Sequence, residues 1–409
     1  MIKLVNKLSR AIVALVFIFS GFVKLVDPYG TAYKITDYLE SVHIILPFAL
    51  ALIASMLLSI AEFTLGLNAL FKSCYRGTSK LLLIFVTVFT VLTLYVAIAN
   101  PVQDCGCFGD ALVITNWQTF GKNIVLLLLS LWLMRNRSYV RSMMSVKNQK
   151  ILTSGFVIIA FTVALVSVRH LPFLDFRPYA VGNHIPELMK VPEGMPQDVY
   201  ETIFIYEKDG VQEEFTEDNY PWQDTTWSFV DSKTTLLSAG AEAPIHDFVI
   251  EHPEMGDITE EVLQDENYSF LIIAPNLEKS SLKHLDDIKQ LKAYSDTNMY
   301  RFLVLTSSVD AAVSEYKSHF QTPLEVCTMD EITLKTIVRS HPGLVILKGG
   351  TVIAKYHHND LPHFANEEDV LASILTQKER RKNQIIILLL TLLIGGLVYK
   401  LSDNKNYTI

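Results

Sequence analysis

Two of the four cysteines in this 409-residue chain stand one residue apart, in Asp104-Cys105-Gly106-Cys107-Phe108-Gly109-Asp110. A thiol pair at that spacing can close a very small disulfide ring, and Gly106 is the residue best able to take the backbone angles the ring demands. Strained disulfides of this kind exchange readily, provided the pair sits in an oxidising compartment. Two charged residues, Lys24 and Glu62, fall inside apolar runs, where ionisable side chains are expensive and must face a protein interior. For Glu62 the spacing permits a proton or cation site with Lys24 as partner, and equally a structural hydrogen bond to Ser59 or Ser20.

The elements that must position these residues are membrane helices. Half the residues are hydrophobic, and they are gathered into blocks. Six blocks approach the ~20 apolar residues that a membrane crossing needs: 11–26, 44–71, 81–99, 117–134, 151–168 and 385–401. The first four read as one bundle, the fifth and sixth as anchors of a soluble domain. Charge divides the chain in the same way. Residues 1–170 carry a net charge of +9 and residues 171–409 a net charge of −17.

Orientation follows from the short loops, because Lys and Arg near helix ends are retained in the cytoplasm. Lys3, Lys7 and Arg10, then Lys72, Arg76 and Lys80, then Arg135, Arg137, Arg141, Lys147 and Lys150 mark one side, without an acid among them. Asp27, Asp37, Glu40, Asp104 and Asp110 lie on the other. The expectation is a cytoplasmic N-terminus and an external Cys-Gly-Cys loop. Lys378, Arg380, Arg381 and Lys382 run against this pattern, but long translocated domains largely escape the rule.

The soluble part reads in two pieces. Residues 170–240 are β-rich, with a hairpin of 202–206 and 211–215 around Lys208-Asp209-Gly210, and with Tyr220, Trp222 and Trp227 as its core and rim. Residues 241–377 alternate strands (268–274, 302–306, 344–348, 352–356) with helical patterns near 282–294, 309–319 and 330–339, which argues an α/β layer fold. Its Ala243-Pro244 lead-in, β-α-β start, and His341-Pro342 before a hairpin closed by Gly349-Gly350 resemble the thioredoxin fold, in which that proline is cis. Pro342 is therefore a cis-proline candidate. Where that family carries Cys-x-x-Cys the chain has Pro275-Asn276-Leu277-Glu278-Lys279, so the module reads as redox-silent, with Cys327 a buried core residue.

The N-terminal third carries a second resemblance. Gly21-Phe22-Val23-Lys24-Leu25 followed by Asp27-Pro28, the intramembrane Glu62 and the Cys-Gly-Cys-Phe-Gly loop resemble the DoxX and MauE membrane families, four-helix proteins distantly similar to the vitamin K epoxide reductase bundle. The tandem with the C-terminal module is similar to a DoxX-family arrangement of Bacteroidetes-type bacteria. The resemblance implies thiol redox work on periplasmic partners, with Cys105 and Cys107 as a candidate catalytic pair. Quinone enters only by remote analogy with the epoxide reductases, and a relay to it would want a second thiol pair, which Cys74, at the other end of its helix, cannot supply.

The expected organisation is a transmembrane four-helix bundle (1–135), a basic cytoplasmic loop (136–150), a fifth transmembrane helix (151–169), a β-rich periplasmic segment (170–240), an α/β thioredoxin-like periplasmic domain (241–377), a basic segment with a sixth transmembrane helix (378–401) and a cytoplasmic tail (402–409). The expected setting is a bacterial inner membrane, with the lipid bilayer and periplasmic clients or a membrane complex as partners. Three function classes stay open: thiol–disulfide exchange by Cys105 and Cys107, a non-enzymatic scaffold or assembly factor, and small-solute or ion transport resting on Glu62. A structural crosslink competes with the redox reading of the cysteines. A Cu(I) site with His43 ranks lower, because two thiolates need further ligands and none is adjacent. No cofactor is evident, and the acidic soluble part is unsuited to nucleic acid.

Overall fold

The computed structural model describes residues 2–364, apart from 103–104, 141, 143, 192–193, 196–198, 218, 223, 239 and 242, together with residues 372 and 376–377. The sixth helix expected at 385–401, the basic cluster before it and the tail 402–409 lie outside the described residues.

Five described helices are long and apolar enough to cross a membrane: α1 (Ile2–Val26), α3 (Phe48–Phe71), α4 (Tyr75–Ala99), α5 (Asn116–Arg135) and α6 (Val146–Arg169). Leu15, Ile53, Leu57, Ile84, Val91, Leu128 and Ile158 all point out of the protein. An outward apolar surface spread over all five helices suits hydrocarbon and not water. The chain is thus a multi-pass membrane protein.

The tightest helix pair is α1 against α3, and small residues make it possible. A Cβ on Gly21 would stand 2.5 Å from the Phe63 backbone nitrogen, and one on Gly66 would stand 2.7 Å from that of Ile18. Such close approach supplies the van der Waals contact that holds helices together in lipid. At the far end of the pair, the Arg10 guanidinium donates to the carbonyls of Ala69 and Leu70 at 2.8 and 2.6 Å, satisfying the C-terminal turn of α3. The fifth membrane helix departs from the expected free-standing anchor. Phe156, Ala160 and Ala164 of α6 share a core with Leu25, Phe63 and Leu67, so α6 is part of the bundle.

An unforeseen helix, α2 (Pro28–Ser41), occupies what reads in sequence as a loop. Asp27 caps it by accepting from the Gly30 N–H at 3.0 Å, and Pro28 takes the first helical position, where a missing N–H costs nothing. Tyr29 and Tyr33 stack on Phe48 at the start of α3, which lays α2 across the end of the bundle.

Beyond the membrane helices, β1 (Val199–Lys208), β2 (Val211–Phe215) and β3 (Ser228–Ser238) form a small antiparallel sheet in the order β2-β1-β3. Asp209 and Gly210, both with positive φ, make the two-residue turn that joins β1 to β2. A seven-stranded mixed sheet follows, ordered β10-β9-β6-β7-β8-β4-β5. Its strands are β4 (Glu251–His252), β5 (Gly256–Asp257), β6 (Tyr268–Ile273), β7 (Arg301–Thr306), β8 (Glu325–Thr328), β9 (Gly343–Lys348) and β10 (Thr351–His357). β6, β7 and β8 run parallel, while β9 is antiparallel to both β6 and β10.

Strand alternation separates two cores. Leu271, Ile273, Leu303 and Leu305 face one side with α7 (Ile185–Leu188), α8 (Thr259–Gln264) and α11 (Glu331–Ile337). Phe270, Ile272, Phe302 and Val304 face the other with α9 (Leu285–Thr297) and α10 (Asp310–Ser318). Residues 171–189, placed by sequence with the β-rich segment, pack instead on the large sheet through Tyr179 and Ile185. Asp175 pins them there, 2.8 Å from Lys355 and 2.7 Å from Arg177. Burial works against its ionisation, but the two cations hold its carboxyl well below the usual range.

Gly21→Val should separate α1 from α3, because the obstacle is Phe63 backbone, and should lower the midpoint of thermal unfolding in detergent by the equivalent of about 3 kcal/mol or more, the upper end of overpacking. Gly77→Ala in α4, where no atom lies within 4 Å of the new methyl, should raise stability by about 0.5–1 kcal/mol.

Candidate functional site

The Cys-Gly-Cys loop joins α4 to α5 and dips into the end of the bundle. Gly106 has φ of +64°, a conformation that side chains disfavour, and the turn it makes brings the Cys105 and Cys107 sulfurs to 3.1 Å. Both cysteines are buried. Two side chains from other elements hold the loop by its carbonyls. The Tyr38 hydroxyl of α2 donates to Cys105 O at 2.7 Å, and the Ser20 hydroxyl of α1 lies 2.8 Å from Cys107 O.

Ser20 links the loop to the buried charges. Its oxygen is 3.1 Å from Glu62 Oε2 and receives a hydrogen bond from Lys24 Nζ at 3.1 Å. Lys24 Nζ also donates to both Glu62 oxygens, at 2.9 and 2.8 Å, with both side chains almost fully buried. The two residues that sequence placed inside apolar runs are therefore ion-paired partners directly beneath the thiols. Of the hydroxyls considered for Glu62, Ser20 reaches it, whereas Ser59 donates to Ser55 O.

The electrostatics separate the two thiols. Cys107 is held below the ordinary thiol range, first by the hydrogen bond from Cys105 and then, against the opposing effect of burial, by Lys122 and Lys24. Cys105 is pushed up, by giving that hydrogen bond and by burial. Lys122 of α5 also stands 4.1 Å from the centre of the Phe108 ring, a cation–π contact within the loop. Lys122 falls near one end of the apolar block 117–134, and its place beside the loop comes from the fold.

The large sheet sits over this loop through one buried cation. Arg339, which follows α11, lies 2.9 Å from Asp27 and 3.6 Å from Asp110, and its guanidinium covers the Tyr33 ring at 5.4 Å. Asp110, which closes the Cys-Gly-Cys segment in sequence, thus faces a cation, while Asp104 lies outside the described residues. The Tyr33 hydroxyl meets His341 Nε2 at 3.1 Å, and the His341–Pro342 bond is cis. Between the two parts lies a cavity of ≈ 550 Å³, bordered by Lys34, Gly106 and Gly109 on one side and Lys335 and Arg339 on the other.

The other two cysteines stand apart. Cys74 lies at the opposite end of α4, where its N–H donates to Gln149. Cys327 is fully buried in the large sheet, and burial pushes its thiol up to about 11. Among the described residues, no group of three or more His, Cys, Asp and Glu side chains is arranged to hold a metal ion.

A multi-pass helical bundle that presents a buried Cys-Gly-Cys loop over an intramembrane ion pair defines the class of protein. Residues 2–135, about a third of the chain, match the model of the family described as methylamine utilisation protein MauE, which supports a MauE-like membrane family for this region. Residues 200–239, the small antiparallel sheet, match a domain of unknown function, DUF8463. No curated protein and no solved structure matches the chain.

Tyr38→Phe should release one end of the loop. Losing a hydrogen bond worth about 1 kcal/mol should raise alkylation of Cys105, which proceeds through local opening, roughly fivefold as read by peptide mass spectrometry. The sheet-to-bundle contact should be acid-labile. Arg339 and Arg177 outweigh burial and hold the Asp27 carboxyl below its ordinary range, so its contribution is complete above the ordinary value of 3.8 and is lost as pH falls through the lower folded value. Burial, with Lys335, His358 and Arg339 close by, pushes His341 down to about 4, so its contribution is complete above the ordinary 6.5 and is lost as pH falls from there toward about 4. Limited proteolysis across 170–190 should therefore be slow at pH 7 and accelerate between pH 6 and 4. Arg339→Ala, which strands Asp27 unpaired at a cost of about 3–5 kcal/mol, should accelerate it at pH 7.

Proposed function

We propose that this protein exchanges disulfides with cysteine-bearing proteins outside the cytoplasm, using Cys105 and Cys107 as the reacting pair, and that the soluble module docks those clients. The observation that carries this reading is the geometry of the thiol pair itself: sulfurs 3.1 Å apart across the turn at Gly106, with Lys24 and Lys122 beside Cys107. A packing role needs no cations beside a thiol, whereas exchange needs an attacking thiolate and a resolving thiol within bonding reach of each other. The MauE-like match over residues 2–135 supports this reading through the thiol redox work that the resemblance implies.

The chemistry balances within the exchange. When a client thiolate attacks the Cys105–Cys107 disulfide, that S–S bond breaks, a mixed disulfide forms, and Cys107 departs as the thiolate. A second client thiol then resolves the mixed disulfide, leaving the client oxidised and the pair reduced by two electrons. The opposite sequence reduces a client disulfide.

The positive-inside pattern supports placing this loop and the soluble module on the periplasmic side of a bacterial inner membrane, with the N-terminus in the cytoplasm. The strand order β10-β9-β6-β7, with β6 and β7 parallel and β9 reversed, supports a thioredoxin-like reading of the module. Ser281, just after the segment that stands where the Cys-x-x-Cys would be, donates its N–H to His341 O, so that the substituted segment and the proline loop are adjacent. Without thiols there, the module is a docking surface.

A second reading has its own support. The buried Arg339–Asp27 pair fixes the module on the bundle, which is what a scaffold for a membrane complex requires. Cysteine variants separate the two. Cys105→Ser should leave Cys107 able to attack and accumulate mixed disulfides with clients, resolvable by reductant on gels, while the Cys105→Ser/Cys107→Ser double variant should abolish them and leave client proteins incompletely oxidised. Intact client disulfides in the double variant, combined with loss of function on deleting 241–377, would establish the scaffold instead.

A further inference from the structure

The exchange chemistry makes no use so far of the most expensive feature of the bundle, its buried ion pair. A small cavity of ≈ 30 Å³ lies where α1, α3, α5 and the Cys loop meet, and its polar lining is Ser20, Lys24, Glu62, Cys107, Lys122 and Asn123. The rest of the wall is apolar, including Phe17 of α1 and Phe85 and Phe89 of α4. A space of this size admits a water molecule, and several of its six polar neighbours can hydrogen-bond to one.

Among the described residues, the charges that line this cavity beside Cys107 are Lys24 from α1, Glu62 from α3 and Lys122 from α5, with Cys105 the titratable neighbour on the loop itself, and the α4 residues that line it are apolar. An ion pair buried for stability alone gains little over well-packed apolar side chains. Placed against a thiol that must lose and regain a proton away from bulk water, a carboxylate has a task.

We propose that Glu62 is the proton acceptor and donor for Cys107, acting through a water held in this cavity, while Lys24 holds the carboxylate in place by donating to both of its oxygens and Lys122 faces the thiolate. The inference rests on the exchange reading. In the reducing direction the Cys107 S–H bond breaks, the proton passes through the water to the Glu62 carboxylate, and the sulfur electron pair forms a bond to one sulfur of a client disulfide. The client S–S bond breaks, and the departing client thiolate receives the proton that Glu62 gives back. Cys105 then attacks Cys107 in the mixed disulfide, loses its own proton to the second departing client thiolate, and closes the Cys105–Cys107 bond. Two electrons and two protons move to the client. In the oxidising direction Cys107 leaves as the thiolate and takes its proton from Glu62.

The test uses the full chain, purified in detergent and reduced, with oxidised glutathione as the probe disulfide. The single-turnover rate is followed against pH, and Cys107 alkylation by iodoacetamide is followed in parallel. Lys24→Met should shift the alkylation midpoint of Cys107 upward by a unit or more. Glu62→Gln should slow exchange at least tenfold and remove the limb of the pH–rate profile that belongs to the carboxylate, and Glu62→Asp should restore part of both. Asn123→Leu leaves the ion pair in place but fills the cavity, and it should slow exchange comparably even if Glu62→Gln does not fold. Exchange by Glu62→Gln and Asn123→Leu at the wild-type rate, with an unchanged pH profile, would overturn the proton role. A wild-type protein that does not react with the probe at any pH would overturn the exchange reading itself, and with it this inference.

Discussion

The contact between Lys24 and Glu62 is the constraint around which the rest of the membrane region is arranged. Two charges in an apolar bundle are tolerable only if they meet, and they meet only if α1 and α3 approach closely. Gly21 and Gly66 permit that approach by removing side chains where the two backbones come together. Ser20 then extends the polar cluster by one hydroxyl to the carbonyl of Cys107, so the position of the thiol loop depends on the same helix pair that buries the charges. The thiol pair, the ion pair and the tight helix crossing are one structure, and disturbing any of them moves the other two.

A second cluster of charges ties the soluble part to this centre. Arg339 enters a site formed by Asp27, Asp110 and the face of Tyr33, which means that the cap of α2, the Cys loop and the turn before Pro342 share one cation. The cavity between the two parts opens beside Gly106, close to buried sulfurs that a folded surface cannot reach directly. On the exchange reading proposed above, that geometry suits an extended cysteine-bearing segment better than a globular face. In the small aromatic-rich sheet of residues 199–238, Tyr206, Phe215, Tyr220 and Trp227 pack among themselves.

Much of this was legible in the sequence, because membrane helices and buried strands both announce themselves as apolar runs. The strands at 268–273, 301–306, 343–348 and 351–357 fall within a residue or so of their sequence-read limits. Lys24 and Glu62 stood out because a charge inside an apolar block has few physical explanations. The helix α2 was missed although Asp27-Pro28 is a cap followed by a first-turn proline; its mixed polarity, with ten of its fourteen residues neither clearly buried nor exposed, hid the period. Arg339 and Lys122 carry no local sequence signal at all. Each acquires its role from residues more than ten positions away, Asp27 lying 312 residues from Arg339, and only the fold brings them together. The fifth membrane helix reads as an anchor for the same reason: Ala160 and Ala164 look like ordinary small residues until α3 is seen against them.

The central claim is that Cys105 and Cys107 are an exchanging pair, and their redox state in intact cells tests it most directly. Free thiols would be alkylated with one isotopic form of a reagent, the remainder reduced and alkylated with another, and the peptide spanning both cysteines quantified with and without a mild external reductant. The account predicts a mixed population that shifts readily toward the reduced form. A population locked fully reduced or fully oxidised under both conditions would contradict it and leave the loop a structural element of the bundle.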